Sequence, residues 1–149
     1  DKDTIKDETL ALGREMKLEW VAQFAGPLSY TLLLPIARDN LTLGHSVILD
    51  SPAGYKLFQD RVEDLVRETR VELKLIECIT TDEGLQRQRV QERADNLPEQ
   101  RVRDADSLQQ ARARLERLSG PRLVVDTAEP VAVNLARVLR YLGAGTREE

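Results

Sequence analysis

The first candidate for chemistry is Asp50, an acid that closes the short apolar run 46–49. Gly44 precedes this run and Ser51-Pro52 follows it, and a short apolar run between turn signals predicts a buried strand of a parallel sheet. Ligands of open α/β sheets bind beyond the carboxyl ends of the strands. An acid at that place could hold Mg²⁺ through water or meet a substrate hydroxyl. The alternative is that Asp50 caps the next predicted helix.

Two further polar positions stand next to the ends of predicted elements. Asp3 belongs to the opening stretch DKD, just before a predicted helix at 4–12, and an acid there is usually a helix cap. Asp126 and Thr127 close a predicted strand at 123–126. A threonine at such a point more often caps the following helix than contacts a ligand. For both positions, helix capping and ligand binding stay open as interpretations.

An arginine-rich segment follows the second predicted strand, with Arg87, Arg89, Arg93, Arg101 and Arg103. Arg89 and Arg93 are four residues apart and therefore share one face of a helix. Converging guanidinium groups suit a polyphosphate and stabilise the charge of a phosphoryl group in transfer. The alternative is a solvated helix face, because acids are interleaved at Glu92, Asp95, Glu99, Asp104 and Asp106.

Several familiar motifs of catalysis do not occur in this sequence. It contains no G-x-x-x-x-G-K-[ST], no G-x-G-x-x-G and no G-x-S-x-G. The single cysteine, Cys78, forms no internal disulfide, fits a reducing cytosol and is interpreted as a buried, inert thiol. The single histidine, His45, cannot build a histidine-based metal site or catalytic triad alone.

Hydrophobic periodicity predicts the elements that must position these residues. Apolar residues at helical spacing predict helices at 4–12, 28–43, 55–69, 83–94, 107–120 and 130–143. The stretch 13–26 is ambiguous; Gly26-Pro27 is expected to break it, and Pro35 is expected to kink or split the following helix. Strands are predicted at 46–49, 71–79 and 123–126. This order predicts an α/β fold with a parallel sheet, of which three strands are only a part.

The composition limits the class of protein and its partners. The chain has 149 residues, 32% charged and 41% hydrophobic, which favours one soluble globular domain over a disordered chain. A net charge of −4 gives no support to non-specific nucleic-acid binding. No apolar run is long enough to span a bilayer and no signal peptide is evident, so we expect a cytoplasmic protein with no membrane partner.

The order of the motifs then becomes recognisable. DKDTIKD opens the chain, and ARDNLTLGHSVILDSP, LQRQRVQER, RDAD and VVDTAEP follow in that order. Together they resemble the P-loop kinase-like ATP-binding proteins that are grouped with AAA-family ATPases. These proteins are related to zeta toxins, chloramphenicol phosphotransferase and the small-metabolite kinases. The resemblance runs from Asp1 to about Leu142.

The resemblance implies a role for each candidate residue. Asp3 matches the acid that faces the acceptor hydroxyl, as general base or orienting group. Asp50 matches the acid at the end of the third strand, near Mg²⁺ or the acceptor. Arg89 and Arg93 match the lid arginines that close over the phosphates, and Arg87 is a further candidate. Thr127 falls near the loop that usually borders the adenine.

The resemblance also implies the domain organisation. A P-loop kinase-like domain would span 1–143, with 82–104 as its lid and 144–149 as a disordered tail. The family's phosphate-binding loop, with its Lys and its Mg²⁺-binding Ser/Thr, has no counterpart in this sequence. We expect that loop and the first strand to lie upstream of Asp1, so that this chain alone is a poor catalyst.

The function expected from the resemblance is ATP-dependent phosphoryl transfer to a small hydroxylated acceptor, with ATP and Mg²⁺ as cofactors. Its partners would be a nucleotide and a small-molecule acceptor. One alternative is a non-catalytic binding or regulatory module on the same scaffold. Another is an NTPase that hydrolyses ATP without an acceptor.

Overall fold

The computed structural model describes residues 1–52, 56–96 and 120–143. Helices and strands follow in the order α1 (Lys2–Glu15), α2 (Val21–Thr42), α3 (Lys56–Thr69), β1 (Leu75–Ile79), α4 (Glu83–Asn96), β2 (Arg122–Asp126) and α5 (Val131–Leu142). The two strands pair in parallel with helices flanking the sheet, so the predicted α/β class is confirmed. The helix predicted at 107–120, the end of the predicted lid and the tail 144–149 lie outside the described residues.

The described residues form two compact units. Residues Asp1–Glu72 make the first, which contains α1, α2 and α3 and is called the helical unit. The described residues from Leu73 onward make the second, which contains both strands with α4 and α5 and is called the strand unit. Of the predicted candidate positions, Asp3 and Asp50 lie in the helical unit, and Thr127 lies in the strand unit.

The helical unit is held together by an apolar core. Its α1 packs on α2, and α2 packs on α3. The buried cluster consists of Leu33, Leu34, Ala37, Phe58 and Leu65. The last two lie on the apolar face that the spacing predicted for α3, so that prediction is confirmed.

Helix α2 corrects two predictions, because it runs without interruption through Gly26, Pro27 and Pro35. Proline inside a helix removes a backbone hydrogen bond and usually breaks or kinks it. Here Leu33, Leu34 and Ala37, on both sides of Pro35, are buried in the same core, and this packing holds the helix together. Glycine before Pro27 also helps, because it has no Cβ to clash with the proline ring.

The strand predicted at 46–49 is the third correction. Residues 45–50 belong to no helix or strand, because no strand of the described residues pairs with them. Val47 and Leu49 pack against the core, whereas Ile48 between them is 87% exposed. Packed and exposed side chains therefore alternate along this run. Such a repeat of two residues is typical of an extended backbone.

The strand unit is built around the parallel pair. The register runs from Leu75 opposite Arg122 to Ile79 opposite Asp126, so both strands end at the same edge. Strand β1 is shorter than the strand predicted at 71–79, because it begins at Leu75. Helix α5 packs on β2 and ends at Gly143, whose φ of +75° is left-handed, as expected for a glycine C-terminal stop.

Candidate functional site

Polar side chains meet at the carboxyl edge of the two parallel strands. Thr80 and Thr81 follow β1, Asp126 ends β2, and Thr127 follows it. Arg89 reaches the same edge from α4. We call these five residues the strand-end cluster. Their convergence follows from the parallel register, because residues after both strands must leave the sheet on the same side.

Asp126 is held as a carboxylate by neutral donors. The hydroxyl of Thr81 donates to Oδ2, and the backbone N–H of Ala128 donates to Oδ1 at 2.9 Å. The pKa of Asp126 is lowered, chiefly by the Thr81 hydroxyl bond, then by the Ala128 N–H, and to a smaller extent by the backbone N–H of Thr81 and the positive charge of Arg89. Asp126 is therefore charged at neutral pH.

Thr127 is the most connected residue of the cluster. Its backbone N–H donates to the carbonyl oxygen of Ile79 at 2.8 Å, which extends the parallel pairing by one bond. Its hydroxyl lies 2.9 Å from the same oxygen and 2.7 Å from the hydroxyl of Thr80. It does not cap the next helix, because Pro130 holds the N-cap position of α5. The capping alternative for Thr127 is therefore wrong.

Among the described side chains, one of the three arginines predicted to bind phosphate lies in the strand-end cluster. Arg89 donates from Nη1 to the Thr127 hydroxyl at 2.8 Å and from Nη2 to the Thr127 carbonyl at 2.9 Å. Arg87 is exposed, and its Nη2 lies 3.9 Å from a carboxylate oxygen of Glu83. Arg93 belongs to α4, but its side chain lies outside the described part of the structure.

The two predicted catalytic acids lie in the helical unit and are connected through Lys2. Asp3 is in the first turn of α1, where its carboxylate pairs with the Lys2 ammonium. The backbone N–H of Lys2 donates to the Asp50 carbonyl at 3.2 Å. This bond places the start of α1 beside the end of segment 45–50. The N-cap of α1 is Asp1, which accepts the Asp3 N–H at 2.8 Å, so Asp3 is free of the capping role.

The side chains of Asp3 and Asp50 differ in their surroundings. The Asp3 side chain is 47% exposed beside a buried lysine, since Lys2 is 7% exposed and its Nζ lies 5.5 Å from the ring centroid of Tyr30. Asp50 is exposed, and its carboxylate makes no hydrogen bond or ion pair with the described residues. Its oxygens are thus available to a ligand. Tyr55, where Asp50 was alternatively expected to cap a helix, lies outside the described residues.

Sequence reasoning missed three residues of these sites. Lys2 belongs to the polar opening stretch DKD, yet it is buried, with its Nζ next to the ring of Tyr30 in α2. Thr81 stands just before α4 but does not cap it, because Asp82 takes that role by accepting the Leu85 N–H at 2.9 Å. Asn134 of α5 donates to the Asp126 carbonyl at 2.6 Å. For Thr81, the available signal was its position two residues beyond a strand end, next to Thr80.

The comparisons with known proteins identify the family. A family model described as an AAA domain matches residues 1–118. The chain belongs to the AAA domain family. This family assigns to the chain a P-loop NTPase-like, nucleotide-binding domain, and such domains generally bind their nucleotide with Mg²⁺. No curated protein and no solved structure gives a significant match to the chain.

The described residues contain neither a cluster of metal ligands nor a membrane-spanning helix. No group of three or more His, Cys, Asp or Glu side chains in 1–52, 56–96 and 120–143 could hold a metal ion. Within the same ranges, no helix has the length and hydrophobicity that crossing a membrane requires.

Proposed function

We propose that this protein is an ATP-dependent phosphotransferase of the P-loop kinase class, similar in specificity to zeta toxins and chloramphenicol phosphotransferase. Its acceptor would be a small hydroxylated molecule, and its compartment the cytoplasm. The observation that carries the proposal is the AAA domain match over residues 1–118, which encloses Asp3, Asp50 and Arg89. Bound ATP would supply the γ-phosphoryl group, and Mg²⁺ would neutralise its charge.

The geometry of each acid supports a separate role. Asp3 is proposed to orient the acceptor hydroxyl and take its proton, because its partly exposed carboxylate pairs with the buried Lys2 ammonium next to it. Asp50 is proposed to hold Mg²⁺ through water or to contact the acceptor. Its exposed carboxylate, which is unbonded within the described residues, fits a cation that retains most of its water shell.

The arginines of α4 are proposed to bind the phosphates within a lid at 82–104. Arg89 supports this role best, because its side chain is fixed at the carboxyl edge of the strands. A guanidinium group binds phosphoryl oxygens with two parallel hydrogen bonds and stays charged at all relevant pH values. Arg87 and Arg93 are proposed to add positive charge from the same helix.

The test is a phosphoryl-transfer assay with the full-length protein. Labelled ATP with Mg²⁺ is incubated with a panel of hydroxylated small molecules, and labelled product is measured against phosphate released without an acceptor. We expect Asp3→Asn and Asp50→Asn each to reduce turnover by about 10²-fold or more, since the roles proposed are general base and metal or acceptor contact. Asp39→Asn, an exposed aspartate of α2 in the same unit, is the matched control and should keep parent activity.

Each alternative has its own outcome in this assay. Turnover of Asp50→Asn equal to that of Asp39→Asn would remove the role given to Asp50. Phosphate release that no acceptor diverts would identify an acceptor-independent NTPase. A full-length protein whose melting temperature does not rise with MgATP would instead be a non-catalytic module.

A further inference from the structure

The hydroxyl of Thr127 has no hydrogen-bonding capacity left for a ligand. A threonine hydroxyl offers one donor and two acceptor lone pairs. Its proton goes to the Ile79 carbonyl at 2.9 Å, and one lone pair accepts from Arg89 Nη1 at 2.8 Å. The Thr80 hydroxyl at 2.7 Å must then be the donor to the second lone pair. While these bonds stand, Thr127 cannot bind a nucleotide through its hydroxyl.

Arg89, in contrast, keeps most of its donors. Its guanidinium group has five N–H bonds, of which two are directed at the hydroxyl and carbonyl oxygens of Thr127. Both acceptors are uncharged, and the Asp126 carboxylate, whose pKa the charge of Arg89 lowers to a small extent, forms no ion pair with Arg89 among the described residues. Thr127 therefore fixes the orientation of the Arg89 guanidinium group but does not neutralise its positive charge.

We infer that Thr127 is a positioning residue, which aims Arg89 at the phosphates of a bound polyphosphate and makes no contact with the nucleotide itself. The two residues are 38 apart in the chain, so their bonds tie α4 to the turn after β2. A flexible arginine loses side-chain entropy when it binds an anion. Because hydrogen bonds already hold two nitrogens of Arg89, less entropy is left to lose on binding. The inference rests on the proposed function only for the nature of the anion.

The test compares three ligands by calorimetry on the full-length protein at fixed salt: tripolyphosphate, ATP and adenosine. Thr127→Val keeps the shape of the side chain but removes the hydroxyl, whereas Thr127→Ser keeps the hydroxyl. We expect Thr127→Val to weaken tripolyphosphate and ATP binding about tenfold, the size of one hydrogen bond to a charged group, and to leave adenosine binding unchanged. Thr127→Ser should bind like the parent.

A double variant tests whether the two residues act as a unit. Arg89→Gln should weaken tripolyphosphate binding at least as much as Thr127→Val, and the double variant should be no weaker than Arg89→Gln alone. Arg89→Lys keeps the charge but cannot grip two oxygens with a planar fork, so it should lose affinity as Thr127→Val does. Arg140→Gln, an exposed arginine of α5, is the control for general loss of positive charge.

Several outcomes would overturn the inference. They are weakened adenosine binding in Thr127→Val, additive losses in the double variant, parent-like binding by Arg89→Lys, and a parent protein that binds no tripolyphosphate. If Thr127→Val does not fold, the Arg89→Lys comparison decides alone. The expected binding pattern together with no phosphoryl transfer to any acceptor would refute the proposed kinase activity but support the positioning role.

Discussion

The helical unit and the strand unit are stabilised by different interactions. In the helical unit, five apolar side chains form a contiguous buried core. In the strand unit, Val125 is the one described apolar side chain that is buried, at 4% exposed. The polar bonds of the strand-end cluster and the ion pair between Glu77 and Arg122 at 2.7 Å connect its elements instead. Among the described residues, apolar packing is the main interaction of the first unit and directed polar contacts are the main interaction of the second.

The residues with proposed functional roles are also held in place differently in the two units. Asp3 and Asp50 are placed by packed helices and backbone bonds, while their carboxylates stay partly or fully exposed. Thr127 and Arg89 are bonded directly to each other. A substitution in the core should therefore affect the acids through global stability. A substitution in the strand-end cluster should affect ligand binding with a smaller effect on stability.

The largest expected effect is in the core of the helical unit. Leu65 is 3% exposed, and Leu65→Ala should lower the free energy of unfolding by about 2–5 kcal/mol, through lost burial and the cavity left behind. Leu57 on the same helix is 65% exposed, so Leu57→Ala should change it by about 0.5 kcal/mol or less. Urea denaturation measures both. Equal losses in the two variants would contradict a stability based on this core.

The next effect concerns the close approach of α1 and α2. A Cβ at Gly13 would lie 2.9 Å from both Cβ and Cγ1 of Val21, which is too close for carbon atoms. Gly13→Ala should therefore destabilise the protein by about 1–3 kcal/mol, as overpacking does. In a Val21→Ala background, which removes Cγ1, the same substitution should cost less. A penalty unchanged by Val21→Ala would show that this contact is not its cause.

The sequence predicted α1, α3, α4, β2 and α5 because each has its own periodicity, cap or stop signal. It failed where distant residues decide the conformation. The burial of Leu33, Leu34 and Ala37 overrides the helix-breaking tendency of Pro35, and the local sequence contains no measure of that burial. The run 46–49 carries the pattern of a strand, but a strand also needs a partner, which periodicity cannot supply.

For the candidate site, the sequence located the strand ends but not the bonds between them. Asp126 and Thr127 were recognised by position, and Arg89 by its spacing from Arg93. That Arg89 binds Thr127 depends on the parallel pairing of β1 and β2, which places the turn after β2 next to the turn between β1 and α4. The individual catalytic and binding roles of Asp3, Asp50 and the arginines stay predictions.

A further prediction concerns how Asp126 of the strand unit makes the stability of the protein depend on pH. The folded protein lowers the pKa of Asp126, so this residue contributes stability above its unfolded pKa of about 3.9, and the contribution is lost as the pH falls through the lower folded value. Asp126→Asn should therefore be less stable than the parent at pH 7, and the difference should shrink below about pH 4. Thermal unfolding from pH 7 to 3 measures it.

Asp39→Asn is the control for this pH series, because it removes an exposed aspartate from α2. It should follow the parent at every pH. A difference between Asp126→Asn and the parent that stays constant down to pH 3 would show that ionisation of Asp126 is not what stabilises the strand unit.

The smallest expected effect lies in the turn between α1 and α2. Lys17 has a φ of +55°, and the N–H of Leu18 donates to the Gly13 carbonyl at 2.8 Å, which is the helix-ending motif that favours glycine. Lys17→Gly should raise the free energy of unfolding by about 0.5–1 kcal/mol, because the relieved strain exceeds the added entropy of the unfolded chain. Glu15→Gly, two residues earlier in regular helix, should lower it by a similar amount. Destabilisation by both substitutions would mean that the Lys17 side chain contributes more than its backbone strain costs.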